Sequence, residues 1–208
     1  MTQGRFITFE GGEGTGKSTQ VLRLLERLRA RDLEVVQTRE PGGSPGAEDI
    51  RAIALNGDAG RWSPVTETLL MFAARSDHLE RTIRPALEAG RWVVCDRFAD
   101  SSRAYQGVGG GTSAAFIESL DAAIVGTTQP DLTLIFDLPV EVGLQRAFGR
   151  GLFETRFESK GMEFHERLRR GFLDIAARYP ERCVIIDADG DQDTVAGRVW
   201  AAVEARLL

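Results

Sequence analysis

Several things are scarce in this 208-residue chain, and each scarcity narrows the reading. There are two cysteines, Cys95 and Cys183, each inside an apolar run that reads as a buried strand. Their spacing matches neither a metal site nor a redox pair, and two buried thiols suit a reducing cytoplasm. Basic charge is not in excess: the formal net charge is −5, which argues against a nucleic-acid surface but leaves local arginine clusters able to hold a small anion. No apolar run approaches the length of a membrane span. The opening stretch MTQGRFITFE is charged and reaches Gly11 too soon for a signal peptide. Internal repeats, low-complexity tracts and a second domain are also lacking. The expected partner is therefore a small molecule met in the cytoplasm, with no nucleic acid and no membrane.

What is present is an alternation of short apolar runs and amphipathic stretches. Arg5–Glu10, Glu34–Thr38, Trp92–Cys95, Leu132–Phe136 and Arg182–Ile186 read as strands. Between them lie helical patterns over Ser18–Arg31, Ala47–Leu55, Pro64–Ala89, Ser113–Val125, from Val140 onward, Met162–Tyr179 and Thr194–Leu207. Pro85 falls in the last turns of the long Pro64–Ala89 helix and is expected to kink or end it. Five buried strands separated by helices predict an α/β fold of three layers, a P-loop NTPase type with a five-stranded parallel sheet flanked by helices. Residues 1–208 read as one domain, with the polar segment at about 149–161 as a lid.

The strongest motif follows the first strand. Gly11-Gly12-Glu13-Gly14-Thr15-Gly16-Lys17-Ser18 matches G-x-x-x-x-G-K-[ST] and opens a helix. Glycines let successive backbone N–H groups turn inward, and the helix N-terminus adds unpaired donors and partial positive charge. Lys17 is placed to reach β- and γ-phosphates, Ser18 to ligate Mg²⁺, and Thr19 to meet the α-phosphate.

A phosphate loop alone does not separate kinases from switches or ATP-driven machines. The guanine-reading N-K-x-D segment of a switch GTPase is missing, and the D-x-x-G match at Asp187–Gly190 lies too late in the chain. A small-molecule kinase needs a second anion site, arginines near the transferring group, and a lid that excludes water. Asp96-Arg97 ends a buried strand, at the edge of the sheet where ligands bind in open α/β folds. Arg150 and Arg156 lie in the lid segment, and Arg39, Arg51 and Arg75 are further cations available to a cleft.

Taken together, the segments Phe9–Ser18, Thr38–Gly43, Phe72–Arg75, Asp96–Phe98, Ala104–Gly107 and Pro130–Leu134 resemble the thymidylate kinase family, in order and over nearly the whole chain. The R-E-P-G-G and A-Y-Q-G segments carry most of the specificity. The resemblance implies phosphorylation of dTMP to dTDP with ATP and Mg²⁺, in the supply of dTTP for DNA synthesis, by a homodimer. It also implies roles. Glu40 and Pro41 border the acceptor site. Phe72 stacks on thymine, unless it is simply a core residue of its helix. Arg75, one helical turn on, donates to thymine O4, where cytosine would present a donor instead. Ser102 and Gln106 meet the remaining edge of the base. Arg97 holds the monophosphate with Arg51 as a second clamp, Glu13 accepts the sugar 3′-hydroxyl, and Tyr105 crowds the 2′ position. Asp96 acts near Mg²⁺, Arg146 stacks on adenine, and Asp137 is left without a role.

One departure is informative. Some relatives carry an arginine after the acidic residue of the phosphate loop, whereas here that residue is Gly14. Catalytic charge then has to come from the lid, through Arg150 and Arg156. Phe98 stands where relatives often have Tyr or His.

Overall fold

The computed structural model describes residues 4–57, 60–149 and 161–208. Its centre is a parallel sheet of strands β1 (Phe6–Gly11), β2 (Val35–Arg39), β3 (Trp92–Asp96), β4 (Leu132–Asp137) and β5 (Cys183–Asp187), in the order β2-β3-β1-β4-β5. All five strands match the expected runs, because each is a short apolar segment bounded by turns or charged residues. Every pairing is parallel, so all carboxyl ends lie on one edge.

Side chains of a strand alternate between faces, and the two faces of β1 are filled differently. Ile7 and Phe9 join Trp92, Val94, Leu132, Leu134 and Phe136 on one side. There they meet Val21, Leu24, Leu25 and Leu28 of α1 (Lys17–Arg29) and Val195, Val199, Trp200 and Val203 of α9 (Gln192–Leu207). Phe6 faces the other way, toward Leu79, Ile83 and Ala86, and Ile135 packs with Phe164, Leu168 and Phe172 of α8 (Met162–Arg178). Thr8 and Glu10 share the parity of Phe6 and are fully buried. α2 (Pro45–Leu55), α6 (Ala114–Ile124) and α7 (Val140–Phe148) complete the regular helices. Among the described residues, no helix is long and apolar enough to cross a membrane.

The long helix expected over Pro64–Ala89 is continuous but not uniform. It runs as α3 (Pro64–His78), a π-helical stretch Leu79–Ile83, and α4 (Arg84–Glu88). Arg84 N–H reaches back to the Leu79 carbonyl, one residue further than in an α-helix. Pro85 has no N–H and its ring would crowd the preceding turn, so the widened turn before it accommodates the proline. A helical element not expected from the sequence follows β3: α5 (Ala99–Ser102) continuing into a π-helical stretch Arg103–Gly109. Its sequence has little apolar periodicity, and its conformation is held by long-range side-chain bonds.

Leu28 is fully buried between α1 and the sheet. Leu28→Ala should destabilise the fold by about 2–5 kcal/mol, read as a lower denaturant midpoint at unchanged m-value.

Candidate active site

The β1 strand delivers Gly11 to the carboxyl edge, and the phosphate loop wraps from there to Lys17 at the start of α1. Gly14 has φ +68°, and a Cβ there would collide with the carbonyl of Gly143 on α7. The loop is thus pressed against α7 at a point that admits no side chain. Gly143 was not singled out in the sequence; it resembles any small residue on a helix.

Lys17 is buried, with Nζ donating to the carbonyls of Gly12 (2.6 Å) and Gly11 (3.1 Å) and to Thr15 Oγ1 (3.3 Å). Burial pushes its pKa down to about 8; Arg97 acts in the same direction and Glu13, Asp96 and Glu10 oppose it. Ser18 Oγ donates to Asp96 Oδ2 at 2.8 Å, which brings the two expected Mg²⁺ ligands together. Among the described residues no group of three or more His, Cys, Asp or Glu gathers as a metal site. A hydroxyl with one carboxylate fits Mg²⁺, which keeps most of its water.

Arg97 sits across the loop in the left-handed region, at φ +70°. A non-glycine residue there is strained and must be held by its surroundings. Its Nη1 donates to the Gly11 carbonyl (2.9 Å) and Ser101 Oγ (3.3 Å), and its Nη2 to Glu13 Oε1 (3.0 Å). Tyr105 donates to the same Glu13 oxygen at 2.6 Å, and its ring lies under the Arg97 guanidinium. Burial alone would raise the Glu13 carboxyl, but Arg97, Lys17 and the Tyr105 hydroxyl together outweigh it and hold it down at about 2. Glu13, Arg97 and Tyr105, predicted separately, therefore form one cluster against the loop.

A second cluster surrounds Arg75 on α3. Nε donates to Glu40 Oε2 (2.8 Å), and Nη2 donates to the Phe98 carbonyl (3.1 Å) and Ser102 Oγ (3.0 Å). Nη1 is buried without an acceptor among the described residues. The guanidinium lies 4.6 Å from the centroid of the buried Phe72 ring. Behind Glu40, His78 Nδ1 meets Oε1 at 3.0 Å and His78 Nε2 pairs with Thr38 at 2.6 Å. Gly43, at φ +88°, leaves the space that a Cβ would take from Thr38 and His78. His78 escaped the sequence reading, although it lies one turn from Arg75 on the same helix face.

The other expected residues are placed as follows. Gln106 donates to Glu67 on α3 at 2.9 Å, and Arg51 donates to the Pro41 carbonyl at 2.7 Å. Arg146 reaches the Ala188 carbonyl beside the β5–α9 turn. Asp137 takes a two-bond pair from Arg169 of α8, at 2.7 and 3.0 Å. Phe98 is a core residue packed edge-on against Phe6 at 4.9 Å, which accounts for an apolar side chain there. Arg39 pairs with Glu48. Arg150 and Arg156 lie outside the described residues.

Two buried acids were missed. Asp100 anchors the rear of α5 through Arg103 and Arg182, and Arg103 also holds Glu118 and Asp121. Glu10, at the end of β1, accepts from Phe98 N–H (2.8 Å), Ser101 N–H (3.2 Å) and Ser101 Oγ (2.6 Å). Burial raises its carboxyl to about 7, helped by Asp100 and opposed by Ser101, Arg97 and Phe98 N–H.

The depressed Glu13 has a consequence for acid stability. Its contribution is present above the ordinary 4.5 and is lost as pH falls toward about 2. Glu13→Gln should flatten that part of the pH–stability curve, measured by thermal unfolding across the window; an unchanged slope would reject the linkage.

Comparisons with known proteins agree with this fold. The thymidylate kinase family profile matches residues 9–198. A thymidylate kinase of Caulobacter vibrioides is 62% identical over 207 residues, covering 100% of this chain and 99% of that protein. One of Ruegeria pomeroyi is 55% identical, covering 98% and 96%. The crystal structure of thymidylate kinase from Ehrlichia chaffeensis superposes with a TM-score of 0.77 at 34% identity, over 96% of this chain and 98% of that one. The chain belongs to the thymidylate kinase family.

Proposed function

We propose that the cleft at the carboxyl edge of the sheet is where this kinase transfers the terminal phosphoryl group of ATP to dTMP, yielding dTDP. The observation that carries the acceptor assignment is the buried Arg75 Nη1, which has no acceptor among the described residues, beside the Phe72 ring. A buried guanidinium donor left unpaired costs stability, and thymine O4 would satisfy it. Cytosine offers an amino group at that position and would leave two donors facing each other. Phe72, with Ser102, Gln106, Glu40 and Pro41 around it, bounds the base; Arg97 and Arg51 hold the monophosphate. Glu13 takes the sugar 3′-hydroxyl, and Tyr105 closes the 2′ side.

The loop fits a triphosphate. Gly11–Thr19 presents backbone donors and Lys17, and Ser18 with Asp96 would hold Mg²⁺. ATP with Mg²⁺ supplies the phosphoryl group and the charge that screens its oxygens. Arg146, beside the β5–α9 turn, faces the adenine. The acceptor oxygen is already ionised, so the protein's task is to position and to neutralise charge. Lys17, Arg97, Arg150 and Arg156 do so, the last two because the loop has no arginine after Glu13. The chain acts as a single domain, with 149–161 as the lid that excludes water. It pairs with a second copy, and α3, which exposes Val65 and Leu69 one turn apart, supplies part of the contact.

A panel of nucleoside monophosphates, read by ADP release, tests the assignment directly: fast turnover is expected with dTMP, and equal rates with other monophosphates would refute it. Lys17→Ala should lower kcat about 100-fold or more while dTMP still binds. Arg156→Ala should likewise lower kcat strongly at nearly unchanged dTMP affinity; an effect confined to KM would make it a binding residue instead.

A further inference from the structure

Glu10 is a β1 residue that the reading above does not use, yet it touches both substrate-facing clusters at one remove. Its Oε2 accepts from Ser101 Oγ, which in turn accepts from Arg97 Nη1. Its Oε1 accepts from the N–H of Phe98, whose carbonyl accepts from Arg75 Nη2. The Ser101 N–H completes the grip on the first turn of α5. Glu10 is fully buried on the sheet face that carries α5, and it lies in the one strand that also delivers the phosphate loop. We propose that Glu10 is a positioning residue that fixes the phosphate-binding Arg97 and the base-reading Arg75 in a common register with the phosphate loop.

The two arms are chemically different. The Ser101 arm needs a pure acceptor, because the serine hydroxyl must give its proton to Glu10 while receiving from Arg97. The Phe98 arm needs only an oxygen that accepts from a backbone N–H. Glu10→Gln keeps the second and inverts the first: the amide oxygen still serves Phe98, but the NH₂ group can only donate toward Ser101. Glu10→Ala removes both.

This proposal rests on the roles given above to Arg75 and Arg97, so the experiment includes Arg75→Ala and Arg97→Ala as references. KM for dTMP, kcat, and the dTMP-to-dCMP ratio of kcat/KM are measured with thermal midpoints. Glu10→Gln and Ser101→Ala should each raise KM for dTMP about tenfold, the loss expected for one buried hydrogen bond, with kcat changed less and the base ratio within about twofold of wild type. Glu10→Ala should raise KM similarly and also narrow the base ratio about tenfold. A folded Glu10→Gln protein with wild-type KM overturns the proposal, as does a lowered thermal midpoint with unchanged kinetics in both Glu10 variants. If Glu10→Ala does not fold, agreement or disagreement between Glu10→Gln and Ser101→Ala decides. If Arg75→Ala leaves the base ratio intact, or Arg97→Ala leaves KM intact, the fault lies with the functional reading and not with Glu10.

Discussion

Holding cations inside the protein before any phosphate arrives is the constraint on which this cleft is built. Lys17, Arg75 and Arg97 are each largely withdrawn from water, and a buried unpaired charge is too costly to persist. Each therefore has acidic or carbonyl partners within bonding distance: loop carbonyls for Lys17, Glu40 for Arg75, and Glu13 with the Gly11 carbonyl for Arg97. The carboxylates differ in consequence. Glu13, wedged between two cations, is held strongly ionised, whereas burial, helped by nearby Asp100, outweighs the donors around Glu10 and pushes it the other way. The same arrangement keeps the arginines rigid, so substrate binding need not spend free energy on ordering them.

The two arginines are held with different margins. Arg97 is fixed by a strained backbone, by Glu13 and by the loop carbonyl, so it is part of the loop's own structure. Arg75 is fixed through a relay from Thr38 through His78 to Glu40, which ties α3 to the end of β2. The R-E-P-G-G segment thus acts mainly as the mount of Arg75: Glu40 is the anchor and Gly43 leaves the necessary space.

How much of this was legible in the sequence follows from how local each feature is. The phosphate loop and the five strands depend on neighbours within a few residues, and the sequence displays them. Phe72 became a candidate, and Arg75 a reader of the base and not just one more cation for the cleft, only through family resemblance, because an arginine one turn from an aromatic on a helix has no chemistry of its own. Glu10 looked like the polar end of a strand. Alternation offered a clue, since Phe6, Thr8 and Glu10 share one face and that face is buried, but what covers it comes from a helix about ninety residues later in the chain. The α5 turn was missed for the same reason: it is held by Glu10 from β1 and by Asp100 with Arg182 from the entry to β5, contacts no local pattern encodes.

Gly14 shows how one local position limits what the phosphate loop can carry. The family resemblance implies that a charge carried by some relatives is missing from this loop, where Gly14 stands. The geometry adds that the charge could not simply be restored, because a Cβ at position 14 would collide with the Gly143 backbone, and a collision with backbone is not relieved by rotating a side chain. Closing the loop onto α7 at that point leaves Glu13 free to serve Arg97 and Tyr105. An arginine at 14 would add a third cation to a carboxylate already balancing two and would compete with Arg97 for it. On the proposed reading, positive charge supplied from another segment would separate the two demands: the loop would fix the ground-state geometry of both substrates, and charge that matters in the transition state would come from outside the cluster that Glu13 neutralises.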